Sequence, residues 1–243
     1  MSCLKYHFAL ILAAIMPAVA AAQPSTVPKG LRGEQEALPS RYPYVVADAL
    51  KHCAPAKGFW VDLGAGKGQV AIPLIEATDN PVVMVDPNAE AMTEGLTAAR
   101  EKGLETRLGA VVGVAEELPF PDNSVDFVIS RGSIFFWDDP PRGLQEVYRV
   151  LRPGGCAYIG GGAGSGYPAW ATEKLIERRK KAMEGDEAEK WKRFVMLRRP
   201  EQMKEWAEKA GLRDYTILGA GAVSASDTRV GQGEWIVFRK PEE

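Results

Sequence analysis

The sequence is poor in the side chains that most often bind transition metals, with two histidines and three cysteines among 243 residues. These are His7, His52, Cys3, Cys53 and Cys156. Structural and catalytic zinc sites need about four such ligands at close spacing, so the sequence predicts no metal site. Cys53 ends a helical pattern and Cys156 begins an apolar run. We therefore interpret both as small buried hydrophobic side chains, not as a disulfide or a metal pair.

A strong excess of charge of one sign is also missing. Thirty Lys and Arg against 32 Asp and Glu give a formal net charge of −2. This balance provides no long-range attraction for nucleic acid or an anionic membrane, and no nucleic-acid partner is expected. No internal repeat or low-complexity tract is evident. The length and a hydrophobic content of 46% indicate one domain with a sizeable core.

A long uncharged apolar run lies at the N-terminus. Residues 8–22 (FALILAAIMPAVAAA) follow Lys5 and end in small residues before Gln23, so residues 1–22 are predicted to be a secretory signal peptide. The run is short for a membrane span and contains Pro17, so no stable span is expected after cleavage. We expect an exported protein, periplasmic or secreted. A membrane-anchored and a cytoplasmic chain are the alternatives.

Residues 23–57 are predicted to form a linker followed by an N-terminal helix. From residue 58, apolar β-rich runs alternate with short amphipathic helical patterns. The runs are 59–64, 81–86, 107–115, 125–130 and 156–161, and the helical patterns are 69–77, 88–102 and 141–151. This alternation indicates a parallel sheet covered on both faces. Right-handed crossovers make it a Rossmann-like, doubly wound α/β fold that binds ligands at the carboxyl ends of its strands. A charged helical stretch (171–199), a helix (200–211) and two apolar runs (214–220 and 233–240) follow.

The stretch VDLGAGKG, residues 61–68, ends the first strand in three glycines. Gly64, Gly66 and Gly68 allow a ligand to approach the backbone closely. A dinucleotide site needs G-x-G-x-x-G, and a phosphate-binding P-loop needs Lys and Ser or Thr after the last glycine, whereas Gln69 follows Gly68. Both phosphate motifs are therefore disfavoured, and with them an NAD-dependent oxidoreductase.

Two acidic residues flank this turn in the predicted sheet. Asp62 lies just before the glycines, and Asp86 ends the second strand. An acid at the tip of the second strand is placed to bind ribose hydroxyls, and an acid in the first turn suits a cationic ligand. The combination favours a positively charged nucleoside without phosphates.

With these features the chain resembles the class I S-adenosylmethionine-dependent methyltransferases of the type 11 subgroup, over residues 58–163 and more loosely to residue 240. Four motifs carry the resemblance in the family's order. They are VDLGAGKG, VMVDPN, AEELPFPDNSVDFVIS (115–130) and the stretch from WDDP to YRVLRPGG (137–155). The resemblance implies a methyltransferase domain over 58–243, with about seven strands, the last antiparallel, and a helical lid insert at 164–200 after the fifth strand.

The resemblance also implies S-adenosyl-L-methionine as the cofactor, with Asp62 and the glycines beside its methionine part, Asp86 beside the ribose, and Ala115 with Glu116 beside the adenine. The full implied set is Asp62, Gly64, Ala65, Gly66, Gly68, Asp86, Pro87, Ala115, Glu116, Ser130 and Arg131. Relatives often carry an Asp for the adenine amino group where this chain has Val114. Adenine contact is therefore expected from backbone groups or from Glu116.

Aromatic residues follow the fourth strand, where relatives place the acceptor pocket. Phe135, Phe136 and Trp137, together with Tyr42 of the N-terminal helix, are predicted to line that pocket, because aromatic faces attract a sulfonium or an amine. Packing in the core is the alternative.

Three charged residues near this strand have two interpretations each. Arg131 either binds a carboxylate or phosphate of the acceptor or forms an ion pair with Asp126 or Asp138. Asp138 and Asp139 look like paired catalytic carboxylates, but Asp139 before Pro140 also fits a helix N-cap, and capping alone explains it.

Two further segments bear on the acceptor. The glycine-rich residues 160–166 either line its site with backbone amides or serve as a connector. The charged insert at 171–199 is either a lid, with Trp191, Phe194 and Leu197 facing the pocket, or a solvated pair of helices. As a lid, its positive excess favours an anionic acceptor.

The function implied by the resemblance is methyl transfer to a small-molecule acceptor by in-line displacement, driven mainly by alignment of the reactants. No residue is assigned as a catalytic base. The acceptor is either anionic or a thiol that reacts as its thiolate, which needs no base, or it is deprotonated by an Asp, Glu or Tyr side chain. The export signal conflicts with an intracellular cofactor. The alternative is therefore an exported nucleoside- or small-ligand-binding protein on a methyltransferase scaffold without transferase activity.

Overall fold

The structure is a computed structural model that describes residues 38–184, 188–189, 197–219 and 233–242. The predicted signal peptide, the predicted linker up to residue 37, and Trp191 and Phe194 of the insert lie outside these residues.

One seven-stranded sheet organises the described chain. Its strands are β1 (Trp60–Leu63), β2 (Val82–Asp86), β3 (Leu108–Val112), β4 (Val125–Arg131), β5 (Leu151–Gly161), β6 (Tyr215–Leu218) and β7 (Glu234–Arg239). The strand order is β3-β2-β1-β4-β5-β7-β6. β7 runs antiparallel to β5 and β6, and the other neighbours are parallel. The predicted, mostly parallel sheet with an antiparallel last strand is confirmed. The order reverses between β1 and β4, which is where folds of this kind bind ligands.

Helices cover both faces of this sheet. They are α1 (Tyr42–Cys53), α2 (Ala71–Ala77), α3 (Ala89–Glu101), α4 (Pro140–Val150), α5 (Ala169–Glu184) and α6 (Pro200–Lys209), with a short 3-10 helix at Ile134–Phe136. Buried residues of α1, α2 and α3 form one core cluster, and those of α4 and α6 form the other. Successive side chains of β1 point to opposite faces of the sheet and so contribute to both clusters. Trp60 belongs to the first cluster, and Val61 and Leu63 belong to the second. No described helix is long and apolar enough to cross a membrane.

The ends of the helices follow local signals. α3 begins after Asn88, whose side chain accepts the Ala91 N–H. α4 begins after Asp139, whose side chain accepts the Arg142 N–H, with Pro140 in the first turn. The capping interpretation of Asp139 is therefore confirmed.

β5 begins earlier than the predicted residue 156, at Leu151. The β4–β5 register shifts between the Val125–Leu151 and Phe127–Cys156 pairs. The residues RPGG at 152–155 fall within this shift, and the two glycines and the proline weaken the strand pattern there.

Cys53 and Cys156 form a disulfide, which corrects their interpretation as separate buried side chains. Cys53 is the last residue of α1, and Cys156 lies in β5 beneath that helix, with a Cα–Cα distance of 5.7 Å. The two residues are 103 positions apart in the sequence. Only the packing of α1 across β5 brings them together, and no local pattern marks that packing.

Candidate functional site

The glycine turn after β1 folds back onto the end of β2. The N–H groups of Gly64 and Ala65 donate to the Val85 carbonyl oxygen at 2.7 and 3.2 Å. Gly64, Gly66 and Gly68 have φ angles of +70°, +53° and +72°. Residues with a side chain rarely adopt this region, so the turn depends on its glycines.

Gly64 and Gly66 serve different purposes within this turn. A Cβ atom at Gly64 would collide with the side chain of Ser133, so this position must be glycine for packing. A Cβ atom at Gly66 would meet nothing nearer than the Gln69 Oε1 atom at 3.5 Å. The space above Gly66 is therefore open, and it forms a cradle in which a ligand can lie against the backbone.

Asp86 lies at the end of β2, beside this cradle. Its Oδ2 atom accepts the Gly66 N–H at 2.8 Å, and its Oδ1 atom accepts the Asn88 N–H at 2.8 Å. A carboxylate has about four acceptor positions, so roughly two remain for hydroxyl groups of a ligand. Pro87, next in the chain, is exposed at the same edge. The residues present thus fit the ribose of S-adenosylmethionine.

Asp62 lies beneath the turn and is almost inaccessible, with 1% of its surface exposed. Its Oδ2 atom accepts the N–H of Ala71, the first residue of α2, at 2.9 Å. Burial raises the pKa of Asp62 to about 7, against the lowering effect of the Ala71 hydrogen bond and with a smaller contribution from the charge of Asp86. A positive charge above the turn would favour the ionised form of Asp62. Its contact with a ligand stays a prediction.

Ser133, which the sequence patterns do not single out, links β4 to the glycine turn. Its hydroxyl donates to the Leu63 carbonyl oxygen at 3.1 Å and accepts the Trp137 indole N–H at 3.0 Å. The Ser130 hydroxyl lies 2.6 Å from it, and because the Ser133 proton is already used, Ser130 donates. Ser130 is fully buried. It therefore supports the turn through Ser133.

The residues predicted to border the adenine lie against the start of α4. Ala115 is buried, and Glu116 accepts the Asp139 N–H at 3.1 Å through its Oε1 atom. A Cβ atom at Gly143 of α4 would touch both the Trp137 ring and the Ala115 side chain. Trp137 thus lies with the predicted adenine residues, and its place in an acceptor pocket stays a prediction.

Phe135 packs in the core between α4 and α6. It is 6% exposed, and its ring centroid lies 6.4 Å from that of Trp206. The guanidinium carbon of Arg198 lies 5.0 Å from the centre of the same ring. Phe136 is half-buried against this cluster. Core packing therefore accounts for Phe135, and pocket lining by either residue stays a prediction.

Arg131 ends β4 with its side chain directed toward β5 and α1. Its Nε atom donates to the Gly162 carbonyl oxygen at 2.9 Å, and its guanidinium carbon lies 5.0 Å from the ring centre of Tyr42. Burial, together with the positive charge of Arg41, lowers the pKa of Arg131 to about 10. Among the described residues Arg131 forms no ion pair, and Asp126 instead pairs with Arg152 at 3.1 Å.

The glycine-rich residues after β5 are fixed to α1. The Asp48 carboxylate accepts the N–H and the hydroxyl of Ser165 at 2.6 and 2.5 Å. Gly164 has a φ angle of +87° and lies against Tyr44, whose ring meets Tyr167 edge to face. This segment is therefore anchored on its α1 side. Three residues of the insert were predicted to face the pocket, and only Leu197 is among the described residues. It packs against the core.

Comparison with known proteins adds to this geometry. Residues 61–159 match the sequence profile of the family described as "Methyltransferase domain". The chain is 30% identical over 162 residues to 2-methyl-6-phytyl-1,4-hydroquinone methyltransferase 1, chloroplastic, of Oryza sativa subsp. japonica, a match that covers 66% of this chain and 43% of that protein. It is 39% identical over 101 residues to the ubiquinone/menaquinone biosynthesis C-methyltransferase of Stenotrophomonas maltophilia, covering 41% of this chain and 40% of that protein. The matched part thus spans about two fifths of each of these curated relatives.

Among solved structures, a protein of Methanococcus maripaludis that carries a provisional assignment as an S-adenosyl-L-methionine-dependent methyltransferase superposes with a TM-score of 0.67. The two sequences are 26% identical, and the match covers 84% of this chain and 86% of that one. The overall fold is therefore shared with a protein of similar size.

Proposed function

Since the chain belongs to the class I S-adenosylmethionine-dependent methyltransferase family, we propose that it transfers a methyl group from S-adenosylmethionine to a small-molecule acceptor. The observation that carries the proposal is the open cradle above Gly66 with the Asp86 carboxylate at its side. The relatives from Oryza sativa and Stenotrophomonas maltophilia are named for hydroquinone and quinone biosynthesis, which supports a small molecule as the acceptor.

Each residue of the cradle has a physical task in this proposal. Asp86 accepts hydrogen bonds from the ribose hydroxyls while the Gly66 N–H holds its carboxylate in place. Asp62, in its ionised form, stabilises a positive charge above the turn, and Ser133 keeps the turn against β4. The cofactor, when bound, supplies a methyl group already activated by a sulfonium. The protein therefore contributes mainly alignment and exclusion of water, and the proposal includes no catalytic base.

Calorimetry on protein lacking residues 1–22 tests this function. We expect S-adenosylmethionine and S-adenosylhomocysteine to bind and NAD not to bind, because the glycine spacing does not suit a diphosphate. An untargeted search for products heavier by one CH2 group then identifies the acceptor. Tight binding of a nucleoside with no methylated product in any extract would instead support the ligand-binding alternative without transferase activity. If neither S-adenosylmethionine nor S-adenosylhomocysteine bound, the proposal would be contradicted.

We propose that the protein acts in an oxidising compartment after export. The disulfide between Cys53 and Cys156 supports this, because such bonds persist in secreted and periplasmic proteins and are rare in the cytosol. The signal-like residues 1–22 support it independently. Export also requires that the cofactor be available outside the cytoplasm.

Cell fractionation followed by alkylation tests the compartment. We expect the protein in the exported fraction, with a mature N-terminus near Gln23 and with both cysteines modified only after reduction. Modification of Cys53 and Cys156 in unreduced protein from a cytosolic fraction would contradict export.

A further inference from the structure

We propose that Arg131 and Tyr42 form an oxyanion-binding subsite that takes a carboxylate or phosphate group of the methyl acceptor. The inference rests on the proposed function, because it names the chemistry of the acceptor for the same site. It depends on the position, the free donors and the charge of Arg131.

The guanidinium of Arg131 is held at one end and open at the other. Its Nε–H is used by the Gly162 carbonyl oxygen, and its plane lies by the ring of Tyr42. Its two terminal nitrogens have no hydrogen-bond partner among the described residues, and neither is among the unpaired polar atoms that are cut off from solvent. Two such nitrogens in one plane match the two oxygens of a carboxylate or phosphate.

The charge of Arg131 is uncompensated in the described part of the chain. Asp126, the nearest acid along its own strand, pairs with Arg152, and Asp48 of α1 is used by Ser165. Arg41, next to Tyr42, adds a second positive charge close enough to lower the pKa of Arg131. A half-buried cation beside a like charge is unfavourable until an anion joins it. An oxyanion is the ligand that this arrangement stabilises.

The position of Arg131 favours the acceptor over the cofactor's own carboxylate. The glycine turn leaves β1, which lies on one side of β4, whereas Arg131 pairs with Gly160 of β5 on the other side. Its hydrogen bond to Gly162 directs the side chain further from β1. In the same region, Arg198 donates to the Gly161 carbonyl oxygen at 2.7 Å. Both arginines therefore reach carbonyl oxygens at the end of β5, on the side of β4 away from the cradle.

Titration with inorganic phosphate and with benzoate, each at saturating S-adenosylhomocysteine, tests the subsite. The bound nucleoside fills the cofactor's place, so any remaining anion site belongs to the acceptor. We expect saturable binding of at least one probe, and the two probes show whether phosphate or carboxylate is preferred. Arg131→Gln is expected to weaken this binding about tenfold or more, because the fork is lost. Arg100→Gln, at an exposed arginine in the last turn of α3, is the matched control and should leave it unchanged.

A second variant covers the case in which Arg131→Gln does not fold, as judged by thermal unfolding. Tyr42→Leu keeps the guanidinium and removes the ring, and it should weaken anion binding about two- to fivefold through the lost cation–π contact. Tyr42→Phe, which keeps the ring, should stay close to the unchanged protein.

Three results would overturn the subsite. These are no saturable binding of either anion, equal anion binding by Arg131→Gln, or a tenfold loss of S-adenosylhomocysteine affinity in Arg131→Gln with 5′-methylthioadenosine unaffected. The last result would assign Arg131 to the cofactor's carboxylate, which methylthioadenosine lacks. If the unchanged protein bound no sulfur nucleoside, the proposed function would be contradicted. The anion titration without nucleoside would still test the subsite at Arg131.

Discussion

The cofactor side of the molecule, meaning β1, the glycine turn and β2, is built from contacts between residues close in sequence. Asp62 reaches Ala71 across nine positions, and Asp86 reaches Gly66 across 20. One strand–turn–helix–strand unit therefore contains almost every group that the cradle needs.

The region proposed to bind the acceptor is assembled differently. We call it the acceptor side, and it comprises α1, the ends of β4 and β5, and residues 162–167. Asp48 and Ser165 are 117 positions apart, and Cys53 and Cys156 are 103 apart. The Tyr167 hydroxyl donates to the Pro39 carbonyl oxygen across 128 positions. Here the N-terminal helix is fastened to the second half of the sheet by long-range bonds, one of them covalent.

The difference shows that the two sides tolerate change in different ways. Perturbing the cofactor side should affect nucleoside binding directly, because its backbone shape forms the proposed binding surface. Perturbing the acceptor side should first loosen α1 and lower stability while the cradle persists. Four predictions test this difference between the two sides.

The largest effect is expected for Gly64→Ala. The new Cβ atom would collide with Ser133 at a φ angle of +70°, so nucleoside binding should be lost and the free energy of unfolding should fall by about 2–4 kcal/mol. Gly103→Ala is the matched control, because Gly103 has a φ angle of +69° but open space around it. Its cost should be only the backbone strain of about 1–2 kcal/mol, with binding intact. Denaturant unfolding and calorimetry measure both.

Removal of the disulfide tests the acceptor side. The double variant Cys53→Ser, Cys156→Ser should lower the free energy of unfolding by about 2–4 kcal/mol, because the unfolded chain gains freedom. Nucleoside affinity should change by less than about twofold, since both cysteines lie outside the cradle. The unchanged protein, measured in a reducing agent, should show the same loss of stability and the same nucleoside affinity as the double variant. A loss of nucleoside binding as large as that in Gly64→Ala would break the distinction.

Replacement of Asp86 by Asn should weaken nucleoside binding about ten- to hundredfold, because hydrogen bonds to a charged acceptor contribute about 1.5–3 kcal/mol. The free energy of unfolding should also fall by about 1 kcal/mol, because the Asn side chain has a single oxygen and one of the Gly66 and Asn88 N–H groups loses its acceptor. Glu90→Gln, at an exposed residue in the first turn of α3, controls for charge and should bind normally. If Asp86→Asn and Glu90→Gln weakened nucleoside binding equally, Asp86 would not be part of the ribose site.

The last prediction concerns Asp62 and the pH dependence of stability. Its pKa is about 7 in the fold against 3.8 for an unperturbed Asp, so the folded state retains a proton that the unfolded chain releases. Stability should therefore fall as pH rises from about 4 to 7 and level off above, by up to about 4 kcal/mol, since each unit of pKa difference corresponds to about 1.4 kcal/mol. Asp62→Asn keeps an acceptor for the Ala71 N–H and should flatten this dependence. If Asp62 were instead ionised throughout that range in the fold, unfolding measured across it would show no slope from Asp62, because the folded and unfolded states would hold the same number of protons.

The difference between the cofactor side and the acceptor side also explains which features the sequence could predict. The strands and the mostly parallel sheet with an antiparallel last strand followed from apolar runs and the resemblance, and the residues of the cradle lie within one local motif. Ser133 was missed because its bonds to Leu63 and Trp137 form only when β4 lies beside β1.

The acceptor side was harder to predict because its partners are distant. The pairing of Cys53 with Cys156 and the turning of Arg131 toward Gly162 depend on how α1 and β5 pack. The disulfide could have been predicted from one general signal in the sequence. A chain with a predicted export signal and two cysteines after it has a raised chance of a disulfide, whatever the local pattern around each cysteine.

The separation of the two cysteines also bears on the order of events during synthesis. Cys156 is made 103 residues after Cys53, which at about 5–20 residues per second takes roughly 5 to 20 seconds. Until then Cys53 lacks the partner that it has in the folded protein. The bond can therefore form only after Cys156 has been made and, if the protein is exported, only after both cysteines have reached the oxidising compartment.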